Sequence, residues 1–192
     1  MKKMIPALAL LIAFLPLAAQ QYSIDPGHTA ITSKVVRFGV VKVVGRFTAV
    51  SGTIKYKAAD PATATAEIII KTDSYTANNT EGENAVKSVA FLDAATFPEI
   101  KFSIKKLIRT DKTYNVSGTL TIHGVTKDIS FPVSIVGPAL DLPTGKQSIG
   151  ISGMITINRQ DYGAGMSRKL PNGMDVIGND VEIEINALAV AQ

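Results

Sequence analysis

The stretch Val181-Glu182-Ile183-Glu184-Ile185-Asn186 alternates strictly between apolar and polar side chains. Because successive side chains of a β-strand point to opposite faces of its sheet, this alternation predicts a strand with one dry face and one solvated face. Lys101-Phe102-Ser103-Ile104-Lys105 repeats the pattern in the middle of the chain. The sequence therefore predicts a sheet whose apolar face the fold has to bury.

Similar runs, rich in Val, Ile and Thr, fill most of the chain after Tyr22 and are separated by Gly, Asn, Asp and Pro. Their composition and their period of two predict an all-β, antiparallel fold. Residues 80–95 break the alternation, and residues 83–92 better fit a short amphipathic helix between the third and fourth strands, with Pro98 ending that excursion. We predict eight strands, over residues 28–37, 43–57, 64–73, 99–109, 113–122, 127–137, 147–158 and 179–190.

A serine followed by a glycine recurs inside the predicted strands, at residues 51–52, 117–118 and 152–153. Glycine weakens a strand unless the backbone bends or is approached closely, and a curled sheet requires such bends. Eight strands with one dry face fold either as a sandwich or as a barrel, and periodicity does not choose between them. A barrel removes the sheet edges and leaves room for one small ligand inside.

The N-terminus has the layout of a secretory signal peptide. Two lysines precede an apolar stretch over residues 4–17, and small residues follow it just before Gln20. The apolar stretch is interrupted by prolines and is shorter than the roughly 20 residues that cross a bilayer, so a retained membrane anchor fits less well. We therefore predict a signal peptide over residues 1–20, one mature domain over residues 21–192, and a periplasmic or secreted protein.

The composition argues against several classes of function. Without the two N-terminal lysines the formal net charge falls from +4 to +2, which is too small for a polyanion-binding surface, so no nucleic-acid partner is predicted. The chain has no cysteine and only two histidines, His28 and His123. No serine lies in a Gly-x-Ser-x-Gly motif. We predict no catalytic residue, no cofactor and no metal, and a zinc or copper site built from both histidines and a carboxylate is the less favoured alternative.

The most distinctive polar stretch is Asn158-Arg159-Gln160-Asp161-Tyr162-Gly163, and a loop with several glycines follows it over residues 164–179. This segment predicts a mouth or a lid. Arg159 either faces a polar head group or pairs with Asp161 to order a turn, and the pair is the favoured interpretation. Arg37, at the end of a strand of apolar and small residues, raises the same question, because a charge at a strand end usually reaches water.

Several segments resemble, in order and spacing, the signatures of the YceI-like family of polyisoprenoid-binding proteins. They are Asp25-Pro26-Gly27-His28-Thr29-Ala30-Ile31 with the motifs Phe38-Gly39, Val44-Gly45-Arg46-Phe47 and Val50-Ser51-Gly52, then residues 88–93 with 97–102, residues 118–127, and residues 157–163 with 176–181. Together these segments cover the whole chain after the predicted signal peptide.

The resemblance implies a lipocalin-like, eight-stranded antiparallel β-barrel, commonly periplasmic or secreted in bacteria, that encloses a polyisoprenoid or a similar amphiphilic chain. It implies no reaction. Two positions depart from the family pattern, because Ser33 stands where phenylalanine is common and Arg37 stands where histidine is common. Both lie on the predicted inner face, where a small Ser33 would widen the cavity and Arg37 would favour an anionic head group.

We therefore predict a carrier that shields a long-chain isoprenoid or other amphiphilic lipid inside the barrel, with transient membrane contact and a homodimer as further hypotheses. The predicted ligand-binding residues are Ile31, Ser33, Val35, Arg37, Phe38, Phe47, Ile68, Phe91, Leu92, Phe102, Leu120, Ile122, Ile155, Arg159 and Met166.

Two rival functions remain open at the level of sequence. The first is a structural or protein-interaction module whose barrel is filled by its own side chains, and absence of a cavity would favour it. The second is an enzyme that acts on a lipid or quinone through Arg37, Arg159, Asp161 and one histidine. Convergence of those groups inside the pocket would favour the enzyme.

Overall fold

The computed structural model describes residues 19–192. The signal peptide predicted over residues 1–20 lies outside the described residues apart from its last two, and it stays a prediction. The strands are β1 (Gln20–Arg37), β2 (Val41–Phe47), β3 (Val50–Tyr56), β4 (Thr65–Lys71), β5 (Tyr75–Thr76), β6 (Glu99–Arg109), β7 (Tyr114–Ile122), β8 (Val125–Asp141), β9 (Lys146–Asn158) and β10 (Ile177–Ala191), and the helix α1 (Thr80–Lys87) lies between β5 and β6.

The sheet closes into an antiparallel barrel of eight strands. Around the barrel the order is β1, β3, β4, β6, β7, β8, β9 and β10, and β10 pairs with β1 to complete the ring. β2 pairs with the second half of β1, and the short β5 pairs with β2. The fold that the resemblance implied is therefore confirmed, and the choice between sandwich and barrel is settled in favour of the barrel.

β7 illustrates how the alternating sequence builds the wall. Alternate positions of this strand are buried and the positions between them are half-buried. The buried residues are Tyr114, Val116, Gly118, Leu120 and Ile122, and the half-buried ones are Asn115, Ser117, Thr119 and Thr121. Because the apolar side chains share one face, the strand turns that face to the barrel interior and leaves its serine and threonines towards solvent.

The sequence predicted that the first strand begins at residue 28, but β1 begins at Gln20. The stretch Asp25-Pro26-Gly27-His28 is typical of a turn, but here it bulges from a continuous strand, with a register shift against β10. The Gly27 N–H donates to the Asp25 carboxylate at 2.9 Å, which satisfies a backbone donor within the bulge. The strand starts early because Tyr22 and Ile24 are buried before the bulge.

The strand predicted over residues 43–57 is divided into β2 and β3 by a break at residues 48–49. The backbone groups at the break are bonded to the last residue of β4 and to the segment that follows it. Thr48 N–H donates to the Ser74 carbonyl at 3.2 Å, and Lys71 N–H donates to the Ala49 carbonyl at 2.9 Å. The break therefore leaves these backbone groups paired, while it lets the chain change direction at the barrel wall.

α1 is shorter than the predicted helix, so Phe91 and Leu92 lie in turns after it. The Asn79 side chain accepts a hydrogen bond from Gly82 N–H at 2.8 Å and caps the N-terminus of the helix. Beyond its C-terminus, Leu92 N–H donates back to the Val86 carbonyl at 3.0 Å. The chain thus folds back on the helix and presents Phe91 and Leu92 to the barrel.

The recurring glycines lie where neighbouring strands approach closely, in agreement with the bends that the sequence predicts. A Cβ atom at Gly118 would lie 2.2 Å from the Ser103 carbonyl oxygen of β6. A Cβ at Gly52, whose φ is +153°, would lie 2.3 Å from the Glu67 carbonyl oxygen of β4. Any larger residue at either position would push two strands of the wall apart.

Candidate functional site

The barrel encloses a cavity of about 680 Å³. On β10, Val181, Ile183 and Ile185 line this cavity, whereas Glu182 and Glu184 face outwards and pair with lysines of β2 and β1. The two isoleucines are only half-buried although they point into the barrel. That exposure is what we expect beside a space that the side chains of the wall do not fill.

All of the predicted ligand-binding residues line this cavity. These are Ile31, Ser33, Val35, Arg37, Phe38, Phe47, Ile68, Phe91, Leu92, Phe102, Leu120, Ile122, Ile155, Arg159 and Met166. Contact between these residues and a ligand stays a prediction.

Two tyrosines pack together at the end of the barrel where β3 ends and β7 begins. Tyr56 and Tyr114 meet edge to face, and their hydroxyl oxygens are 3.0 Å apart. Arg109 Nη2 donates to the Tyr114 hydroxyl at 2.8 Å. Burial and the hydrogen bond to Tyr114 raise the pKa of Tyr56 to about 12. For Tyr114, burial is outweighed by the hydrogen bonds from Tyr56 and Arg109, which lower its pKa.

Three segments frame the opposite end, which we call the mouth. They are the β1–β2 turn (residues 38–40), the α1–β6 segment (residues 88–98) and the β9–β10 loop (residues 163–176). Each segment contributes side chains to the cavity lining, among them Phe38, Phe91 and Met166. The mouth predicted from the glycine-bearing loop thus includes two further segments.

Backbone hydrogen bonds join the three segments of the mouth. Phe38 N–H in the β1–β2 turn donates to the Val176 carbonyl of the β9–β10 loop at 3.0 Å. Met166 N–H in that loop donates to the Ala90 carbonyl of the α1–β6 segment at 3.2 Å. The β9–β10 loop therefore bridges the other two segments and fixes the outline of the opening.

The side chain of Arg159 holds the β9–β10 loop through hydrogen bonds, and Arg159 is only 6% exposed. Its Nε donates to the Gly178 carbonyl at 2.9 Å, and its Nη1 donates to the Ala164 carbonyl at 3.0 Å. Its Nη2 donates to the carbonyls of Met166 and Ile177 at 3.2 and 3.1 Å. One guanidinium group thus ties the start of the loop to its end.

The sequence favoured an ion pair between Arg159 and Asp161, and the structure does not form it. Asp161 is exposed, and its carboxylate lies 4.0 Å from Lys127 Nζ instead. Within residues 19–192, no carboxylate lies within ion-pairing distance of Arg159. Burial lowers the pKa of Arg159, and the charge of Asp175 opposes this shift. The buried charge is therefore solvated by carbonyl dipoles.

Tyr75 reaches the cavity from β5, where a glycine of β2 makes room for it. A Cβ at Gly45 would lie 2.0 Å from the Tyr75 hydroxyl oxygen, and the Tyr75 ring packs edge-on against Phe47 at 5.4 Å. Ser33 is the cross-strand partner of Gly45. Burial raises the pKa of Tyr75. Tyr75 therefore lies beside Ser33, and the widening of the cavity by Ser33 stays a prediction.

Sequence reasoning missed several polar residues of the lining. They are Thr29, Tyr56, Tyr75, Asn79, Glu81, Tyr162 and Arg168. Tyr56 could have been found, because it continues the inward period of β3 two residues after Ile54. Glu81 and Arg168 lie in a helix and a loop, where no strand period indicates the face.

The polar groups that the enzyme hypothesis requires do not converge in the described structure. Arg37 and Arg159 line the cavity, whereas Asp161, His28 and His123 do not. The side chain of His28 is 74% exposed on the bulge of β1. His123 packs against an aromatic ring of the α1–β6 segment at a centroid distance of 4.4 Å.

Among residues 19–192, no three or more His, Cys, Asp or Glu side chains are grouped as a metal site would require. None of the helices formed by these residues combines the length and the apolar character that a membrane span needs.

Comparison with known proteins gives consistent matches in sequence and in structure. The family profile described as a YceI-like domain matches residues 22–189. A UPF0312 protein of Pseudomonas fluorescens (strain SBW25) is 34% identical over 169 residues, which cover 85% of this chain and 88% of the relative.

Two solved structures share the fold at lower sequence identity. Burkholderia cenocepacia BcnA superimposes with a TM-score of 0.76 at 20% identity, covering 86% of this chain and 98% of BcnA. A polyisoprenoid binding domain from Saccharophagus degradans, implicated in plant cell wall breakdown, gives a TM-score of 0.67 at 17% identity, covering 89% and 98% of the two chains.

Proposed function

This chain belongs to the YceI-like family, and on that premise we propose that it is an exported carrier that holds a polyisoprenoid or similar long-chain amphiphile in its barrel. The observation that carries the proposal is the cavity of about 680 Å³, which is lined mainly by apolar side chains and framed at one end by a mouth. Cavities of this size are typical of small-molecule sites. The family and its polyisoprenoid-binding structural neighbour favour a binding protein over an enzyme.

Burial of the hydrocarbon chain supplies the driving force in this proposal. Each methylene group removed from water gains about 0.8 kcal/mol, so ten carbons gain about 8 kcal/mol before ordering costs are subtracted. The isoleucines of the wall offer such a chain contacts without polar groups that would need partners. The cavity also argues against the interaction module, whose barrel would be filled by its own side chains.

Native mass spectrometry of the protein purified from its exported form tests the proposal. We expect one amphiphile per barrel, and its head group and chain length can be identified after organic extraction. The same spectrum reports whether residues 1–20 have been removed and whether the protein is a homodimer. A protein that is bare, and that also fails to take up added geranylgeraniol or palmitic acid, would contradict the carrier.

We further propose that the mouth contacts a membrane transiently, so that the ligand enters and leaves without crossing water. Apolar side chains that are exposed around the opening support this route. Val40 in the β1–β2 turn is 80% exposed, Val89 in the α1–β6 segment is 81% exposed, and Met166 in the β9–β10 loop is 63% exposed. Arg37 and Arg168, which are exposed beside them, would add attraction to anionic lipids.

Replacing both Val40 and Val89 by aspartate is expected to slow loading of geranylgeraniol from anionic vesicles about tenfold or more, because charge replaces apolar contact with the bilayer. Neither valine lines the cavity, so the occupancy reached at equilibrium should change little. Loading is followed by native mass spectrometry after the vesicles have been removed by centrifugation. An equal rate for the variant and the original protein would show that the ligand travels through water instead.

A further inference from the structure

The arginines of this protein differ from its lysines in whether they form ion pairs with carboxylates. Within residues 19–192, every ion pair with a carboxylate is made by a lysine, apart from the one between His28 and Asp25. The arginines stay free of such pairs, and three of them, Arg37, Arg159 and Arg168, line the cavity. Arginine is the side chain best suited to bind carboxylate or phosphate through paired hydrogen bonds.

The backbone brings these three arginines to one side of the mouth. Val176 N–H donates to the Arg168 carbonyl at 2.9 Å, and the Val176 carbonyl accepts from Phe38 N–H at 3.0 Å. The backbone segments of Arg168, Val176 and Phe38 therefore lie side by side. Because paired strands are spaced a little under 5 Å apart, the backbones of Arg168 and Phe38 are about 10 Å apart. Arg37 precedes Phe38, and Arg159 bonds the carbonyl of Ile177, the residue after Val176.

Arg37 is held in place while its donors remain available. Its guanidinium carbon lies 4.2 Å from the centre of the Phe38 ring, so the group stacks on a side chain that also lines the cavity. Stacking uses the face of the guanidinium group and leaves the N–H groups in its plane free to bind.

Arg159 supplies positive potential rather than direct contacts. Its hydrogen bonds are taken by loop carbonyls, yet its charge has no carboxylate partner within residues 19–192. A buried charge acts through a low-dielectric surrounding and is screened less than a charge in water. Glu81, the one carboxylate among residues 19–192 that lines the cavity, lies in the first turn of α1, where the helix dipole favours it.

We propose that the mouth binds an oxyanion head group, phosphate or carboxylate, through Arg37 and Arg168 over the buried charge of Arg159. The inference rests on the proposed carrier function and narrows its ligand to an anionic amphiphile, in place of a neutral alcohol or quinone. The hydrocarbon chain lies in the cavity, and the anion stays at the mouth, where water still reaches it.

Two matched ligand pairs test the proposal at physiological salt. Farnesyl phosphate is compared with farnesol, and palmitic acid with hexadecanol, by displacement of a fluorescent fatty amphiphile. We expect the anion of at least one pair to bind ten times more tightly or better than its alcohol. The double variant Arg37→Gln and Arg168→Gln should reduce this preference to below about threefold, because each lost bidentate contact weakens only the anion.

The control removes two positive charges elsewhere, with Lys55→Gln and Lys106→Gln, which are exposed in β3 and β6 and do not line the cavity. This variant should keep the preference for the anion. Equal affinities within both pairs, or a preference that survives loss of Arg37 and Arg168, would overturn the oxyanion site and leave the carrier standing. Failure of all four amphiphiles to bind would instead overturn the carrier itself.

Discussion

Substitution of Ile151 and Ile183 by tryptophan together is expected to abolish lipid retention by this barrel. Ile183 on β10 and Ile151 on β9 both line the cavity. Each of them has a small neighbour on one adjacent strand, Ser33 beside Ile183 and Ala187 beside Ile151, so the two indole rings have room on that side to lie across the cavity without opening the wall. A lipid chain that needs the whole cavity no longer fits beside the two rings. We therefore expect its dissociation constant to rise about 100-fold or more.

Native mass spectrometry measures the occupancy, and thermal unfolding checks that the doubly substituted barrel still folds. The matched control places tryptophan at Ser152 and Thr156, which lie on the same strand β9 but are exposed on the outer face. We expect this control to retain the amphiphile. Full occupancy in the plugged protein would mean that the ligand binds outside the barrel.

The lining could be predicted from the sequence because a strand has a period of two. Once Ile183 is placed inside, Ile185 and Val181 must be inside too, and the same rule assigns Ile31 and Val35 on β1. Closure could not be predicted in this way. It depends on β1 meeting β10 at the other end of the chain, and local alternation contains no information on such a distant pairing.

The errors concern segments whose conformation depends on distant contacts. The first strand was predicted to start at residue 28, but pairing with β10 on both sides of the bulge at Asp25-Pro26-Gly27-His28 makes one strand that starts at Gln20. Asp161 was the partner expected for Arg159 because it is near in sequence. The actual partners are carbonyls from residues 164–178, and these meet only when the β9–β10 loop has folded.

Tyr75 and Arg168 were missed for a related reason. Tyr75 lies on a strand of two residues, which is too short to show a period, and its place is set by the space above Gly45. Arg168 lies in a loop, and its position follows from the hydrogen bond between its carbonyl and Val176 N–H. Such contacts are tertiary, so a single sequence read by propensity does not reveal them.

Replacement of Arg159 by methionine is expected to destabilise the protein by about 2–4 kcal/mol, because four carbonyl groups lose a charged donor and not all of them can reach water. This loss of stability is partly offset, because methionine carries no charge that has to be desolvated on burial. Arg159→Lys should fall between methionine and the original residue, since an ammonium group keeps the charge but cannot reach both ends of the loop. Urea unfolding measures the free energy of unfolding of the original protein and of both variants.

Arg46→Met is the matched control, because Arg46 is exposed and donates one hydrogen bond, to the Thr29 carbonyl at 3.0 Å, so its loss should cost less than about 1 kcal/mol. In Arg159→Met, amide hydrogen exchange over residues 163–178 should also become faster, because the β9–β10 loop loses the group that joins its start to its end. Bound amphiphile should then escape more quickly through a less ordered mouth. If Arg159→Met were as stable and as slow to exchange as the original protein, water would be solvating the carbonyls, and the buried charge would have to be explained by the head group alone.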